Sequence, residues 1–304
     1  MNPSGPSGPA SDSRNARRNL LLVWAATALL LLGPVTLAVV RTGPAPATDF
    51  LAGPHDKRPE HPAAAPGTHA PEPQATPAAN LDAEIQRILA ENSGYRIGVA
   101  LVDTHGGEPR SYGDGSEFVA ASTAKIITAA AYYHLVETGA KSLDVPLGSF
   151  DAAFQVRAMV NASSDDSWLL LMQDIGYPRL IEYAASIGIS YDPEQNMLTP
   201  AEMALLLRQL STGKLLNAEH TDELLGYMQQ TNNERLIPAA VGPDVTVQHK
   251  YGELEGYVHD AAVLTSGGRS YALAIYSWGE DGESEERLAV IHELTEAVTG
   301  ALLS

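Results

Sequence analysis

The sequence predicts an α/β (α+β) domain in which one antiparallel sheet is flanked by N- and C-terminal helices and carries an all-α subdomain. Three observations predict it. Strand-like runs fall in two separated groups, between Tyr95 and Ala120 and between Thr246 and Trp278, with only helical periodicity and loops between them. A helical pattern precedes the first group and another follows the last, so the two ends of the segment close one sheet. The chain has 304 residues, 44% of them apolar, enough for one large core.

In chain order, residues 1–19 are polar, rich in Ser, Pro and Gly, and end in Arg14, Arg17 and Arg18, as a cytoplasmic tail would. Residues 20–40 form an uninterrupted apolar run closed by Arg41. That length matches the roughly 20 residues of a membrane-spanning helix. Gly33-Pro34 would kink it, which membrane helices tolerate. The arginines before the run predict a single-pass protein of the cell membrane, with its N-terminus in the cytoplasm and everything after Arg41 outside. A signal peptide cleaved near Ala47, at Ala45-Pro-Ala47, is the rival reading and would yield a secreted protein. Signal-peptide cores run to about 7–15 residues, so the longer run favours an uncleaved anchor. Residues 42–80 are dominated by Pro and Ala without a hydrophobic period, and read as a disordered tether. Its histidines, His55, His61 and His69, are scattered and point to no site.

Residues 81–304 form the folded domain. Leu81, Ile85, Ile88 and Leu89 share one face of a helix over 81–90 capped by Asn80. Tyr95–Val102 is a strand, Asp103–Arg110 a turn, and Ser111–Ala120 a weaker second strand passing Gly113 and Gly115. Ser122–Thr138 is a long helix, apolar nearly all round and so buried on all sides, which Gly139 stops. Helical segments follow at Phe154–Val160, Ser167–Asp174 and Arg179–Ile187, the last ended by Gly188. Thr199 caps a helix running to Leu210, with Pro200 at its first position. After about Gln229 the period changes. Thr246–Gly252, Val258–Thr265 and Tyr271–Trp278 are strands, the last two joined by a hairpin turn at Ser266-Gly-Gly-Arg269. Glu285–Leu303 is the final helix, with Leu288, Ile291, Leu294 and Val298 on one face.

A net charge of −18 leaves nothing to neutralise a phosphate backbone, which excludes nucleic acid as a partner. The absence of cysteine excludes disulfides, thiolate catalysis and Cys-based zinc sites. His292-Glu293-Leu-Thr-Glu296 lacks the second histidine of a zinc-protease motif, and no Gly-rich phosphate loop occurs, so no cofactor or metal is called for. What remains is Ser122-Thr-Ala-Lys125 at the start of the buried helix. One helical turn brings both side chains to the same face. A hydroxyl beside an amine can be an activated nucleophile if burial and cationic neighbours lower the lysine pKa. The same residues also read as an N-cap serine and a first-turn lysine. A second copy, Ser211-Thr-Gly-Lys214, falls past a helix C-terminus, where a lysine is favoured electrostatically. The site belongs where the helical part meets the sheet, since clefts favour such boundaries.

Ser-x-x-Lys opening a buried helix, then helices, then His249-Lys250-Tyr251-Gly252 on a strand resembles the penicillin-recognising serine hydrolases, most closely the class A β-lactamase-like fold. The resemblance runs from about Leu81 to the C-terminus. Arg235-Leu-Ile-Pro-Ala and Val258-His-Asp-Ala-Ala also look like the family's surroundings of its Lys-Thr-Gly strand. Aligned on Met159, Ser163-Ser164-Asp165 takes the family's Ser-Asp-Asn positions. The resemblance implies that Ser122 attacks an acyl carbon, Lys125 accepts its proton and Ser163 relays a proton toward the leaving group. It also implies that Lys250 supplies positive charge for a substrate carboxylate and helps to hold Lys125 neutral. Asp165, Tyr251, Gly252 and Glu253 would line the substrate. Gly252 would let substrate approach the strand edge closely, and the N–H groups of Ser122 and Glu253 would form the oxyanion hole.

Three departures accompany the likeness. Asp165 replaces the Asn that donates to a substrate carbonyl, and a carboxylate can only accept. Tyr251 replaces a Thr or Ser whose hydroxyl contacts a substrate carboxylate. Only Ser190–Leu198 precedes the Thr199-Pro200 helix, too short for the long loop of class A β-lactamases, and its one glutamate, Glu194, reads as an exposed turn acid. The combination predicts slow acylation and inefficient turnover of penicillins. His249 either tunes Lys250 or faces solvent, and Asp260 reads as structural. The implied function is a membrane-anchored extracytoplasmic serine hydrolase acting on cell-wall (peptidoglycan) peptide or a related small amide or ester. The alternative is a weakened or inactive module that binds or senses wall fragments or a protein partner, with a true β-lactamase third.

Overall fold

The computed structural model describes residues 77–304, so the tail (1–19), the apolar run (20–40) and nearly all of the tether (42–80) lie outside the described residues. Among the described residues no helix is long and apolar enough to cross a membrane. The sheet is assembled from both ends of the segment. Strands β1 (Arg96–Asp103), β2 (Arg110–Gly113), β7 (Thr246–Leu254), β8 (Tyr257–Ser266) and β9 (Arg269–Trp278) lie in the order β2-β1-β9-β8-β7. All are antiparallel. The long-range closure is β1 on β9, in register from Arg96 opposite Trp278 to Asp103 opposite Tyr271. Gly267 and Gly268 both take left-handed backbone (φ 56° and 78°), the requirement of a two-residue turn matched to strand twist.

Side-chain size differs between the two faces of this sheet, and the difference positions the helices. Ile97, Val99 and Leu101 of β1 and Leu273 and Ile275 of β9 face one core, where α1 (Pro77–Glu91) and α8 (Glu285–Leu302) lie. Leu81, Ile85 and Ile88 meet Leu288, Ile291, Leu294 and Val298 there. The alternate residues Ala100, Ala261, Ala272 and Ala274 face the other core. These small side chains let α6 (Pro200–Ser211) approach the strands closely. Beyond it stand α2 (Lys125–Glu137), α3 (Ala152–Val160), α4 (Asp165–Ile175), α5 (Tyr177–Ser186) and α7 (Ala218–Tyr227). Every residue of α2 from Lys125 to Tyr133 is buried, as its all-round apolar sequence predicts.

Several boundaries differ from expectation. Helix α1 begins at Pro77, so Asn80 lies inside it and does not cap it. Pro77-Ala-Ala extends the helix backwards because Pro suits a first turn and Ala has the highest helix propensity. The expected strand over Ser111–Ala120 is broken in two. Gly113 turns the chain with φ 69°, and Asp114 Oδ1 accepts from the N–H and hydroxyl of Ser116 in a local turn. The second piece, β3 (Phe118–Val119), leaves the sheet and pairs with β6 (Met197–Leu198), while β4 (Pro146–Leu147) and β5 (Phe150–Asp151) pair only with each other. Helix α7, capped by Asn217, had no separate expectation, since only Thr221, Leu224 and Leu225 of it are buried and its apolar period is short. The helix at Thr199-Pro200 has the full reciprocal capping box with Glu202.

The α1–α8 layer lies on the face of the sheet away from the helical part. Truncating Ile85, fully buried in that layer, to Ala should therefore cost about 2–5 kcal/mol in urea denaturation. The reactivity of Ser122 in the folded fraction should stay unchanged.

Candidate active site

Ser122 sits in a 3-10 turn, Ala121–Ala124, that leads into α2, so it is not the N-cap of the α-helix. The turn is held from three directions. Ala120 N–H donates to Asn196 O (2.8 Å), and Asn196 Nδ2 donates to Ala121 O (3.1 Å). Thr123 Oγ1 lies 2.7 Å from Ala120 O and 2.6 Å from the Tyr276 hydroxyl. Thr123 has one proton and spends it on the carbonyl, so Tyr276 is the donor in the second contact. This clamp holds Ala121 at φ 49°, a left-handed conformation that a non-glycine residue keeps only when its surroundings over-determine it.

The edge strand β7 closes on this turn. A Cβ added to Gly252 would stand 3.0 Å from Ala120 O, Ser122 N and Thr123 N, all backbone atoms that cannot swing aside. Gly252 is therefore required for the close approach of β7 to the serine turn, a different reason from the approach of substrate that the resemblance implies. His249 N–H points off the free edge of β7, to Met228 O at 2.8 Å. The β7–β8 register runs without a bulge, so the N–H groups of Tyr251 and Glu253 project from that edge too. Ser122 N–H and Glu253 N–H thus flank the same gap, the arrangement expected for an oxyanion hole.

Lys125 is 0% exposed and is the centre of the site. Its Nζ lies 2.9 Å from Ser122 Oγ, 2.7 Å from Ser163 O, 2.7 Å from Asp165 Oδ1 and 3.2 Å from Ser163 Oγ. The carbonyl and the carboxylate can only accept, so they fix two of its protons. The third position faces Ser122, whose hydroxyl can donate to the amine once that proton is lost. Burial pushes the Lys125 pKa down, against the opposing pull of Asp165. Ser163, itself at φ 55°, presents both its carbonyl and its hydroxyl to Lys125. Asp165 is the first residue of α4, directly after the Ser164 cap.

Lys250, also 0% exposed, donates to Ser163 Oγ at 2.9 Å and to its neighbour's carbonyl, Tyr251 O, at 3.1 Å. Burial, and then the charge of Lys125, bring its pKa down to about 7. The Tyr251 ring covers the ammonium at 3.9 Å, and the Tyr251 hydroxyl donates to Asn232 Oδ1 at 2.8 Å. Asn232 Nδ2 in turn donates to Ala162 O at 3.0 Å. The tyrosine therefore forms a bridge from β7 to the Ser163 loop, over Lys250. Glu253 is exposed, with Oε1 held by Asn233 Nδ2 at 2.7 Å.

All four residues assigned to chemistry, Ser122, Lys125, Ser163 and Lys250, thus meet around two buried amines, with Asp165, Tyr251, Gly252 and Glu253 on the rim. Asn196, Asn232 and Asn233 were not anticipated. The first is 2% exposed with φ 52°, a conformation Asn tolerates better than most residues, and an Asn before a short strand is the one faint sign of it. The short segment before α6 supports the serine turn through Asn196, while Glu194 is exposed in a turn whose N–H groups Asp192 caps. His249 is buried and does not face solvent. Its Nδ1 meets Asp260 Oδ1 at 2.9 Å, and its Nε2 meets Glu234 Oε1 at 3.1 Å and Thr231 Oγ1 at 3.0 Å. Asp260 also accepts from Ile237 N–H at 3.0 Å, consistent with a structural role.

Two outcomes follow from this geometry. Gly252→Ala should cut the acylation rate of Ser122 by about 10-fold or more, as a stopped-flow comparison would show, because the new methyl displaces an oxyanion donor. Burial opposes protonation of His249, but Asp260 and Glu234 outweigh it and raise the imidazole above its ordinary 6.5. The stabilisation is then complete below pH 6.5 and is lost as pH rises through the raised value. The stability advantage of the wild type over His249→Gln should accordingly shrink as pH rises above neutrality, measured by denaturant titration at a series of pH values.

The sequence model of the beta-lactamase enzyme family matches residues 80–157 and 160–302. The beta-lactamase CTX-M-8 of Citrobacter amalonaticus is 26% identical over 250 residues, spanning 69% of this chain and 86% of its own. Among solved structures, the ancestral (GNCA) class A beta-lactamase is 26% identical, with a TM-score of 0.65 over 72% of this chain and all (100%) of its own. PBP-A shares the fold at 21% identity, with a TM-score of 0.66 over 73% of this chain and 95% of its own. A variant of PBP-A is known as an acyl-enzyme complex with penicillin G. With the matched residues covering nearly the whole described segment, the chain belongs to the beta-lactamase enzyme family.

Proposed function

We propose that this protein is an acyl-serine hydrolase, held at the outer face of the cell membrane by residues 20–40 and acting on cell-wall peptide or a related amide or ester. The observation that carries the reading is the 2.9 Å contact between Ser122 Oγ and the fully buried Lys125 Nζ. In the acylation step neutral Lys125 takes the Ser122 proton while Oγ bonds to the acyl carbon. The carbonyl oxygen becomes an oxyanion facing the N–H groups of Ser122 and Glu253. The bond to the leaving group then breaks, and that group receives a proton through Ser163 Oγ, which hydrogen-bonds to both lysines. Water releases the acyl group by the same steps in reverse. The exposed position of Glu194 supports slow deacylation of penicillin adducts. The apolar run and the Pro/Ala-rich stretch after it support the anchored, extracytoplasmic placement.

A binding or sensing module without turnover is the second reading, favoured by the Lys125–Asp165 ion pair at 2.7 Å, which holds a proton on the base. Incubating the full chain with an activated ester and a fluorescent penicillin, then mapping adducts by mass spectrometry, separates the two. The ester should label Ser122 faster than the penicillin does, and Ser122→Ala should abolish both. Lys125→Ala should slow labelling by about 10²–10⁴-fold. Because Lys125 must be neutral, the labelling rate should rise with pH through a midpoint below the 10.5 of an ordinary lysine. A folded protein that neither probe labels would decide for the binding module.

A further inference from the structure

The charges around Ser122 say what kind of substrate an acyl-serine centre of this build accepts, and the inference rests on that reading of the site. A cation offered to solvent is the most direct means by which such a site would attract an anionic substrate. Neither lysine is offered, since both are 0% exposed. Lys250 gives two of its protons to Ser163 Oγ and Tyr251 O, and the Tyr251 ring lies over it at 3.9 Å. The Tyr251 hydroxyl has its one proton committed to Asn232 Oδ1 at 2.8 Å, so it is not free to donate to an incoming carboxylate. Arg235 is exposed near Glu253 but is ion-paired with Glu283.

The acids are arranged the opposite way. Asp165 contacts Lys125 through Oδ1, yet 69% of its side chain is open to solvent. It stands two hydrogen bonds from Ser122 Oγ, by way of Lys125 Nζ. Glu253 is exposed on the other bank, one residue past Gly252, with its carboxylate steadied by Asn233. A carboxylate can accept from a substrate N–H and cannot donate to a substrate carbonyl. We propose that this site selects acyl donors bearing an ammonium or guanidinium group, with Asp165 as the residue that receives it and Tyr251 as the residue that shuts out carboxylates.

The position of Asp165 gives the selection a second consequence. A substrate cation at Asp165 competes with Lys125 for the same carboxylate. Drawing that charge away makes the Lys125 proton easier to lose, so the substrate that fits is also the one that frees the base.

Three activated thioesters with one leaving group, differing only at the far end of the acyl chain in an ammonium, a methyl or a carboxylate, test this with the full chain. The ammonium ester should have the highest kcat/KM and exceed the carboxylate ester by about tenfold or more. The ratio should fall as salt is raised, because the charges involved are open to solvent. Asp165→Asn should compress it several-fold and shift the rising limb of the pH–rate profile for the methyl ester to lower pH. Tyr251→Thr should raise kcat/KM for the carboxylate ester selectively. A carboxylate ester that matches or beats the ammonium ester, while the methyl ester still labels Ser122, overturns the inference and leaves the acyl-serine reading standing. No label from any of the three overturns both.

Discussion

Two amines buried around one serine set the terms for the rest of this structure. Lys125 and Lys250 are both withdrawn from water, and both place Nζ within hydrogen-bonding range of Ser163 Oγ. Burying one ammonium costs several kcal/mol, and a second nearby adds repulsion. The protein meets this cost in two ways. Asp165 neutralises Lys125 from the solvent side, and Lys250 is left with a pKa of about 7, so that it gives up charge readily. A neutral amine beside a hydroxyl is the state that chemistry requires. In the proposed reaction, the same desolvation that costs the fold stability would make the nucleophile available.

Holding that arrangement takes rigid backbone. Ala121, Ser163 and Asn196, all near the serine, take left-handed conformations without being glycine. Each is fixed by contacts that cross between distant parts of the chain: Asn196 to the serine turn, Ser163 to Lys125, and β7 to both through Gly252 and Lys250. The sheet supplies the stiffness. Its alanine-lined face lets α6 press against β1, β8 and β9, and its opposite face is sealed by α1 and α8. The buried pair His249 and Asp260, joined by the exposed Glu234, ties the loop carrying Asn232 and Asn233 to the back of β7. That loop then reaches forward to Tyr251 and Glu253. Polar groups on the two sides of one strand thus support the same edge.

Much of this was legible in residue order. Alternation in Tyr271–Trp278, the Thr199-Pro200 helix start and the all-round apolar helix after Ser122 each follow from a local period or cap, and the structure has all three. The pairing of β1 with β9 followed only indirectly, from two groups of strands needing one sheet. The misses have a common physical cause. Whether Phe118–Val119 continues β2 or crosses to Met197–Leu198 depends on a partner some eighty residues away, and no local period reports it. His249 shows the same limit. On a strand its side chain could face either way, and only the buried carboxylate at Asp260 on β8, with Glu234 beside it, decides the matter. Asn196 and Asn232 each donate to a backbone carbonyl and accept from a tyrosine hydroxyl, a role that almost any loop asparagine could fill.

The two substitutions that first looked like losses make better sense together than apart. With an exposed Thr or Ser in place of Tyr251, Lys250 would face solvent more openly and keep its charge more easily. Covering it with an aromatic ring removes water, which favours the lower pKa, while the carbonyl that accepts one of its protons opposes that shift only in part. An amide in place of Asp165 would leave Lys125 without its only close anionic partner among the described residues, in a pocket that already holds a second amine. The carboxylate restores balance to a site that Tyr251 has made drier. Its cost is a proton held more firmly on Lys125, which the proposed acylation would have to shed before Ser122 attacks. A group that can approach Asp165 from solvent and share its charge relieves that cost. The exposure of Asp165, the burial of Lys125 and the closure of Tyr251 over Lys250 are therefore three aspects of one electrostatic arrangement.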